Sequence, residues 1–247
     1  MNNNNEEQLV KKSEFEPDGK MKRYYTYSYD ENGNLTREAS YGKGFLDFLG
    51  STTYEYNEDS LLIKKTSFDY NRQPEFFIEY EYNENADLIR ETEYSFASYS
   101  RKYQLWSFTE YEYNDKNLLI KITKRDPKGN LKYYYEYKYD KFGRKIKDKF
   151  YDSTDSLYNF NTYEYDYNGN ITSHKNYMGF GYINFYYTYE YNDNENLVRK
   201  TKYNGEDKLL EYTYYEYDDM RRLIKKSDYN QNEELIKYYI FEYEDSE

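Results

Sequence analysis

The chain has 247 residues, of which 47 are acidic and 35 basic, and its formal net charge is −12. It contains no Cys and a single His, His174, which excludes disulfide scaffolds, thiolate metal sites and most His-based catalytic centres. The acidic balance argues against nucleic-acid binding, because phosphate backbones require clustered Lys and Arg. The 22% aromatic content, with 40 Tyr, opposes the disorder that low hydrophobicity would otherwise favour.

The first residues, 1–8, are rich in Asn and Glu, and we expect a disordered N-terminal lead there. They lack the pattern of a secretory signal peptide, and no apolar run has the length of a membrane span. We therefore expect a cytoplasmic protein, as sequenced, that has no membrane partner. A single repeat domain is expected over 9–243, followed by a short tail at 244–247.

A Tyr-x-Tyr motif followed by Asp, Asn or Glu recurs through this domain with a 26-residue period. We number its second aromatic residue zero and call it the anchor. The nine anchors are Tyr29, Tyr56, Tyr82, Tyr113, Tyr139, Tyr165, Tyr191, Tyr217 and Tyr243. The first repeat has one extra residue and the third has a five-residue insertion, around 95–107. A period of this size indicates tandem structural units.

Each repeat predicts two strands joined by tight turns. Residues alternate in character over two segments per repeat, as strands require. The segment Asp30–Asn34 has the form of a turn with Gly in the left-handed conformation, and Glu16–Gly19 repeats that form half a repeat away. The fold class is therefore all-β, a single long antiparallel meander of about 18 strands built from 26-residue hairpin repeats. Because strands twist, so long a sheet should coil into a spiral, shell-like or barrel-like form.

Even offsets from the anchor are expected on one face of the sheet. This places the aromatic and Leu positions together, with Leu88 and Leu197 buried between Tyr columns. It also places the basic residue at +8 across from the Tyr at −2, as in the pair Tyr27 and Arg37. The Glu that recurs at −1 is then expected on a solvated face. Since only three of eight copies have Gly at +4, some turns are expected to differ.

Three segments, Tyr27–Thr36, Tyr137–Arg144 and Tyr163–Ile171, resemble the tyrosine–aspartate (YD) repeat of the RHS family. The resemblance implies a long antiparallel sheet that coils into a shell, as in RHS proteins, insecticidal toxins and teneurins. Such proteins encapsulate a toxin or mediate adhesion at the cell surface, so a secreted or surface location is the alternative to the cytoplasm. We carry over the fold alone, because the chain shows no toxin segment and has few strands for a complete cocoon.

Candidate sites for chemistry are few. His174 is interpreted as a surface histidine, and no unique carboxylate pair stands out from the repeated Glu column. The series Asp30-x-Asn32-x-Asn34 resembles half a calcium loop but lacks the Gly and Glu positions of a complete one, so we interpret it as a turn. We therefore expect no enzyme activity, no metal and no cofactor.

The insertion in the third repeat is the candidate binding site. It contains Arg101, Tyr103 and the only Trp, Trp106. Aromatic and Arg residues on an irregular segment suit recognition. The alternative is that this insertion, together with the apolar segment 45–49 in the first repeat, caps or plugs the coiled sheet.

Three functions remain open at this point. The first is a non-enzymatic scaffold that binds a partner protein through its sheet surface or its irregular loops. The second is a glycan-binding or adhesion module in which Tyr columns stack on sugar rings. The third is an immunity or chaperone-like partner of a bacterial toxin.

Overall fold

The computed structural model describes residues 8–42, 47–97 and 102–243. Eighteen strands follow one another: β1 Leu9–Phe15, β2 Met21–Tyr29, β3 Leu35–Tyr41, β4 Phe48–Tyr56, β5 Leu62–Phe68, β6 Pro74–Tyr82, β7 Leu88–Ala97, β8 Lys102–Tyr113, β9 Leu119–Arg125, β10 Leu131–Tyr139, β11 Lys145–Tyr151, β12 Leu157–Tyr165, β13 Ile171–Met178, β14 Ile183–Tyr191, β15 Leu197–Asn204, β16 Leu209–Tyr217, β17 Leu223–Asn230 and β18 Leu235–Tyr243. The all-β meander of 18 strands is confirmed. The expected tail and all but Gln8 of the expected lead lie outside the described residues.

The sheet closes into a barrel, which decides among the spiral, shell and barrel alternatives. Each strand pairs antiparallel with its sequence neighbours, and β1 also pairs with β18. This seam has contacts that recur in several other units: Lys11 Nζ lies 2.8 Å from Glu242 Oε1, and the rings of Phe15 and Tyr238 stack at 5.1 Å. β1 therefore supplies the second strand of the ninth repeat, and nine two-strand units complete the ring.

A bulge in each repeat overturns the expected register. Tyr29 pairs with Leu35, but the register then shifts, so that Ser28 faces Arg37 and Tyr27 faces Glu38. The predicted pairing of Tyr27 with Arg37 is wrong. The strand that follows the anchor carries one extra residue, at +7, which has no partner on the anchor strand and shifts the later pairs by one position. The shift changes which residues share a face, so positions +8, +10 and +12 lie on the face opposite to −2 and +9.

The inner face carries the residues at −2 and +9. In a closed sheet of one layer, long side chains lose more solvent on the concave side than on the convex side, and burial raises the pKa of Tyr27, Tyr80, Tyr137 and Tyr189 to about 12. These residues belong to a ring of −2 aromatic side chains around the interior. An 18-stranded barrel is wider than side chains can fill, so its interior retains open space.

The outer face carries aromatic pairs and cations in a regular pattern. The −5 and +12 rings of adjacent strands stack with centroids 4.4–5.1 Å apart in the pairs Phe15–Tyr238, Tyr24–Tyr41, Phe77–Tyr94, Tyr134–Tyr151, Phe160–Tyr177, Tyr186–Tyr203 and Tyr212–Tyr229. The +8 cation lies over the −5 ring of the following repeat, as Arg90 does over Phe108 at 4.3 Å. The basic residues at +8 therefore do pack on aromatic residues, but on those at −5 of the following repeat rather than on those at −2.

Stability does not come from a large apolar core. Among the described residues, only Ala39 and Tyr212 are buried hydrophobic side chains, and Leu88 and Leu197 are half-buried, so their expected burial is wrong. Small residues at +10 fill the space beneath the outer stacked rings instead, at Ser13, Ala39, Thr66, Thr92, Thr123, Thr201 and Ser227. The tightest packing is therefore between neighbouring strands rather than across the barrel.

The anchors hold successive repeats together. In all nine repeats the anchor hydroxyl donates a hydrogen bond, of 2.6–3.0 Å, to the backbone carbonyl at +6 of the repeat before it. The turns are also more uniform than expected. Ser60, Ala86, Asn117, Glu195 and Arg221 stand at +4 and adopt the same left-handed φ, 59–65°, where other copies have Gly.

Candidate functional site

The hairpin of β7 and β8 extends beyond the regular repeat. β7 has 10 residues and β8 has 12, and their ladder continues to the pairs of Phe96 with Tyr103 and Ala97 with Lys102. The insertion therefore forms additional strand rather than an irregular loop over 102–107. This correction matters for recognition, because side chains on a paired ladder are held in place.

The three predicted site residues have different environments. Tyr103 lies edge-on to Phe77, with ring centroids 4.6 Å apart, and also contacts Phe96. Trp106 is the bulge residue between Leu105 and Ser107 and is 57% exposed, with Lys132 Nζ 5.6 Å from its ring. Arg101 lies outside the described residues, as does part of the apolar segment 45–49.

Three apolar side chains on this hairpin are exposed. Phe96 and Leu105 are 36% and 37% exposed, and together with Trp106 we call them the hairpin patch. Because Trp106 is largely exposed, its side chain does not plug the end of the barrel. Exposed Trp and neighbouring apolar side chains are the residue types found at the centres of protein interfaces.

A second candidate site is a cavity of about 410 Å³ at the β12–β14 end of the barrel. Its lining includes Tyr158 and Phe180, which are 66% and 75% exposed, and the amides of Asn159, Asn176 and Asn184. Asn184 donates to Asn176 at 3.1 Å, whereas the Asn159 amide has no hydrogen-bond partner within the described ranges. Exposed rings beside the side-chain amides of Asn159 and Asn184 provide stacking and hydrogen bonding at one place.

The sequence contained a signal for this cavity that the repeat analysis missed. The turn between β13 and β14 begins with Met178, where equivalent turns begin with an acid or an amide: Glu16, Asp69, Asp126, Asp152, Asn204 and Asn230. Gly179 is also required, because a Cβ there would lie 2.1 Å from the Leu157 carbonyl oxygen. The close backbone approach recurs at Gly205, where a Cβ would lie 2.2 Å from the Ile183 carbonyl oxygen, so the departure from the repeat is the apolar residue Met178.

His174 is on the inner face, and its interpretation as a surface histidine is wrong. Its ring stacks between Tyr163 and Tyr187, with centroids 4.8 and 5.4 Å away, and burial lowers its pKa. Its Nε2 lies 3.0 Å from Asn161 Oδ1, and Asn161 donates to the buried Asp148 at 2.7 Å. The bulge explains the error, because it places the residue at +9, here His174, on the same face as the aromatic residues at −2.

The Asp-rich turns bind their own backbone. Asp30 Oδ1 accepts hydrogen bonds from the amides of Asn32 and Asn34, and the Asn34 side chain binds Oδ2 at 3.0 Å. These hydrogen bonds lower the pKa of Asp30, and the bond from the Asn34 side chain has the largest effect. Across the described ranges, no group of three or more His, Cys, Asp or Glu is arranged to hold a metal ion. No helix there has the length and apolar composition needed to cross a membrane.

Comparison with known proteins gives likeness of fold. A porin-like protein from Bacteroides uniformis has a TM-score of 0.50 and 11% identity, with 96% of this chain and 98% of that chain covered. The TcdB2-TccC3-TEV structure has a TM-score of 0.41 and 16% identity. A DUF3836 family protein from Bacteroides vulgatus has a TM-score of 0.25 and 16% identity, with 38% of this chain and 88% of that chain covered.

The likeness to TcdB2-TccC3-TEV covers 90% of this chain but only 12% of that much longer one. No protein-family model matches the sequence, and no curated protein matches it. At identities this low, the porin-like structure shows a shared fold alone. The chain is therefore similar in fold to this porin-like protein.

Proposed function

We propose that this protein is a non-enzymatic β-barrel scaffold of the YD-repeat type that binds a partner protein through the hairpin patch. The observation that carries the proposal is Trp106, which is 57% exposed on the hairpin that contains the five-residue insertion. Elsewhere the regular columns hold neighbouring strands together, so specificity is expected where the repeat changes. An exposed Trp on a fixed ladder supplies contact area at little entropic cost.

The test compares two exposed aromatic residues at the same repeat position. Trp106 and Tyr158 both stand at −7, in β8 and β12. The partner is captured from the native host by the wild-type chain and identified, and then both variants are measured against the purified partner. Trp106→Ala should weaken binding at least tenfold with little change in melting temperature, whereas Tyr158→Ala should bind normally. Equal effects of the two substitutions would contradict the proposal, as would normal binding by Trp106→Ala.

A toxin as the partner is the immunity or chaperone-like version of this function. The partner's identity decides it: a toxin whose activity falls on binding supports that version. A structural or surface protein would instead support an adhesion role.

Carbohydrate binding at the β12–β14 cavity is the second candidate function. Tyr158 and Phe180 offer rings for stacking on a sugar, and Asn159 and Asn184 offer amides to its hydroxyls. On a glycan array, Tyr158→Ala should lose any binding that the wild-type chain shows, while Trp106→Ala should keep it. Absence of glycan binding by the wild-type chain removes this candidate without affecting the first.

A further inference from the structure

Five lysines lie on one side of the barrel interior, and we call them the lysine arc: Lys12, Lys200, Lys202, Lys226 and Lys237. They are contributed by β1, β15, β17 and β18, which form one continuous section of the closed sheet together with β16. At the +9 position alone, Lys200, Lys226 and Lys12 follow one another around this section. The +9 positions on β3, β7 and β11 are the acids Glu38, Glu91 and Asp148. Lys65, the +9 residue of β5, lies between two of these acids, so interior cations also occur outside the arc, but three consecutive +9 positions carry Lys only in this section of the described sheet.

The five ammonium groups gather around two tyrosine rings. Lys200 and Lys202 Nζ lie 4.0 and 5.7 Å from the ring centroid of Tyr187. Around Tyr239, the Nζ atoms of Lys12, Lys226 and Lys237 lie 5.4, 5.6 and 5.4 Å from the centroid. Lys12 also lies 4.8 Å from the Tyr25 ring, and Lys202 lies 4.9 Å from that of Phe185. Two or three cations beside one ring still repel one another, and ring quadrupoles compensate little of that.

Carboxylates offset only part of this charge. Lys202 pairs with Glu211 at 3.3 Å, and Asp228 lies 3.7 Å from Lys226 and 4.0 Å from Lys237. Within the part of the chain that the structure describes, Lys12 and Lys200 have no carboxylate within ion-pair distance. Burial, reinforced by the charge of Lys226, lowers the pKa of Lys200. Five cations thus share two nearby carboxylates.

Open space adjoins these groups. A cavity of about 420 Å³ is lined by Lys200, Lys202, Lys226 and Lys237, and the carboxylates of Glu211 and Asp228 also line it, so the four lysines outnumber the acids two to one. We propose that the lysine arc binds a multivalent oxyanion inside the barrel. Lysine ammonium groups are compact point charges that bind phosphate and carboxylate oxygens without a fixed geometry. An anion with several charges can contact several of them at once, which a chloride ion cannot.

The overall charge of −12 does not prevent such binding. At physiological ionic strength, charges separated by more than about 8 Å are largely screened, so the local lysines outweigh distant surface acids. This site lies on the inner face and is independent of the hairpin patch and of the proposed partner.

Binding is measured by calorimetry and by thermal unfolding, with sodium tripolyphosphate and sodium citrate as probes and sodium chloride at matched ionic strength as the reference. Lys200→Met and Lys226→Met keep most of the side-chain volume and remove the charge. Each should weaken binding about tenfold. Lys147→Met is the matched control, because Lys147 lies over Phe160 on the outer face, 4.2 Å from its ring.

Tripolyphosphate binding that requires the arc identifies an oligophosphate class of ligand, and citrate binding identifies a polycarboxylate class. Because cation repulsion is relieved, both arc variants should also melt at the wild-type temperature or above it without any anion. The proposal is overturned if neither probe binds the wild-type chain more tightly than chloride at millimolar concentration. It is equally overturned if Lys147→Met weakens binding as much as the arc variants do.

Discussion

The hydroxyl of Tyr56 donates a hydrogen bond to the backbone carbonyl of Leu35 at 2.9 Å. Leu35 begins the strand next to that of Tyr56, beside the bulge, where the regular ladder leaves its carbonyl without a strand partner. The same bond recurs at every anchor, including Tyr243 to Leu223 in the last repeat. It explains why the anchor is Tyr and not Phe in every copy: the ring fills space that Phe would also fill, but only the hydroxyl satisfies the carbonyl.

Replacing Tyr56 with Phe should therefore destabilise the barrel by about 1 kcal/mol, the usual net value of one hydrogen bond. Tyr167→Phe is the control, because the Tyr167 side chain is fully exposed and its removal should change stability by less than about 0.5 kcal/mol. Urea denaturation of both variants provides the measurement. Equal stability of the two variants would show that the anchor bond contributes nothing.

The turn between β6 and β7 contains a residue in an unfavourable conformation. Ala86 has φ 64°, and a left-handed L-residue costs about 1–2 kcal/mol, part of which is regained as lower entropy of the unfolded chain. Ala86→Gly should therefore stabilise the protein by about 0.5–1 kcal/mol. Gly169 has φ 94° in the equivalent turn, and an added Cβ would meet no atom within 4 Å, so Gly169→Ala should have the opposite effect of similar size. A loss of stability in Ala86→Gly would refute this account of the turns.

The repeat allowed the strands and turns to be predicted, because the period fixes where each hairpin begins and ends. The bulges have no marker residue in the sequence, and they decide which positions face inward. For that reason Arg37 was placed opposite Tyr27 and His174 was placed on the surface. Closure depends on the strand tilt and on β1 matching β18, which are properties of the whole ring. At the candidate site, the position of Trp106 was predicted from the insertion, but its extended-strand geometry was not.

The inner tyrosines predict a loss of stability at alkaline pH. Burial raises the pKa of Tyr189 from 10.0 to about 12, so the folded state favours the neutral hydroxyl. Its contribution to stability is complete below pH 10, the unfolded pKa, and is lost as the pH rises through 12. The urea midpoint should fall across this interval as tyrosinate absorbance increases.

Tyr189→Phe should reduce that fall, and Tyr167→Phe on the exposed turn should leave it unchanged. An unchanged urea midpoint between pH 10 and pH 12 would show that the tyrosines at −2 are not desolvated. An equal fall of the midpoint in the two variants would show that the inner face has been assigned wrongly.

Closure of the ring by β1 and β18 is the basis for the interior, the lysine arc and the nine equivalent repeats. Ser13 and Ile240 face each other across this seam. Directly opposed residues of antiparallel strands have Cα atoms about 4.5–5.5 Å apart, which a disulfide can span. The chain has no Cys, so Ser13→Cys with Ile240→Cys creates the only possible pair. The control pair is Ser13→Cys with Thr123→Cys, because Thr123 is on β9, on the far side of the barrel.

The direct measurement is disulfide formation in the native monomer under mild oxidation. The closed barrel predicts a rapid intramolecular bond between positions 13 and 240 and none between positions 13 and 123. An open spiral leaves β1 and β18 on separate edges. Failure of the 13–240 pair to join within one chain, with the protein folded, would contradict the closed barrel.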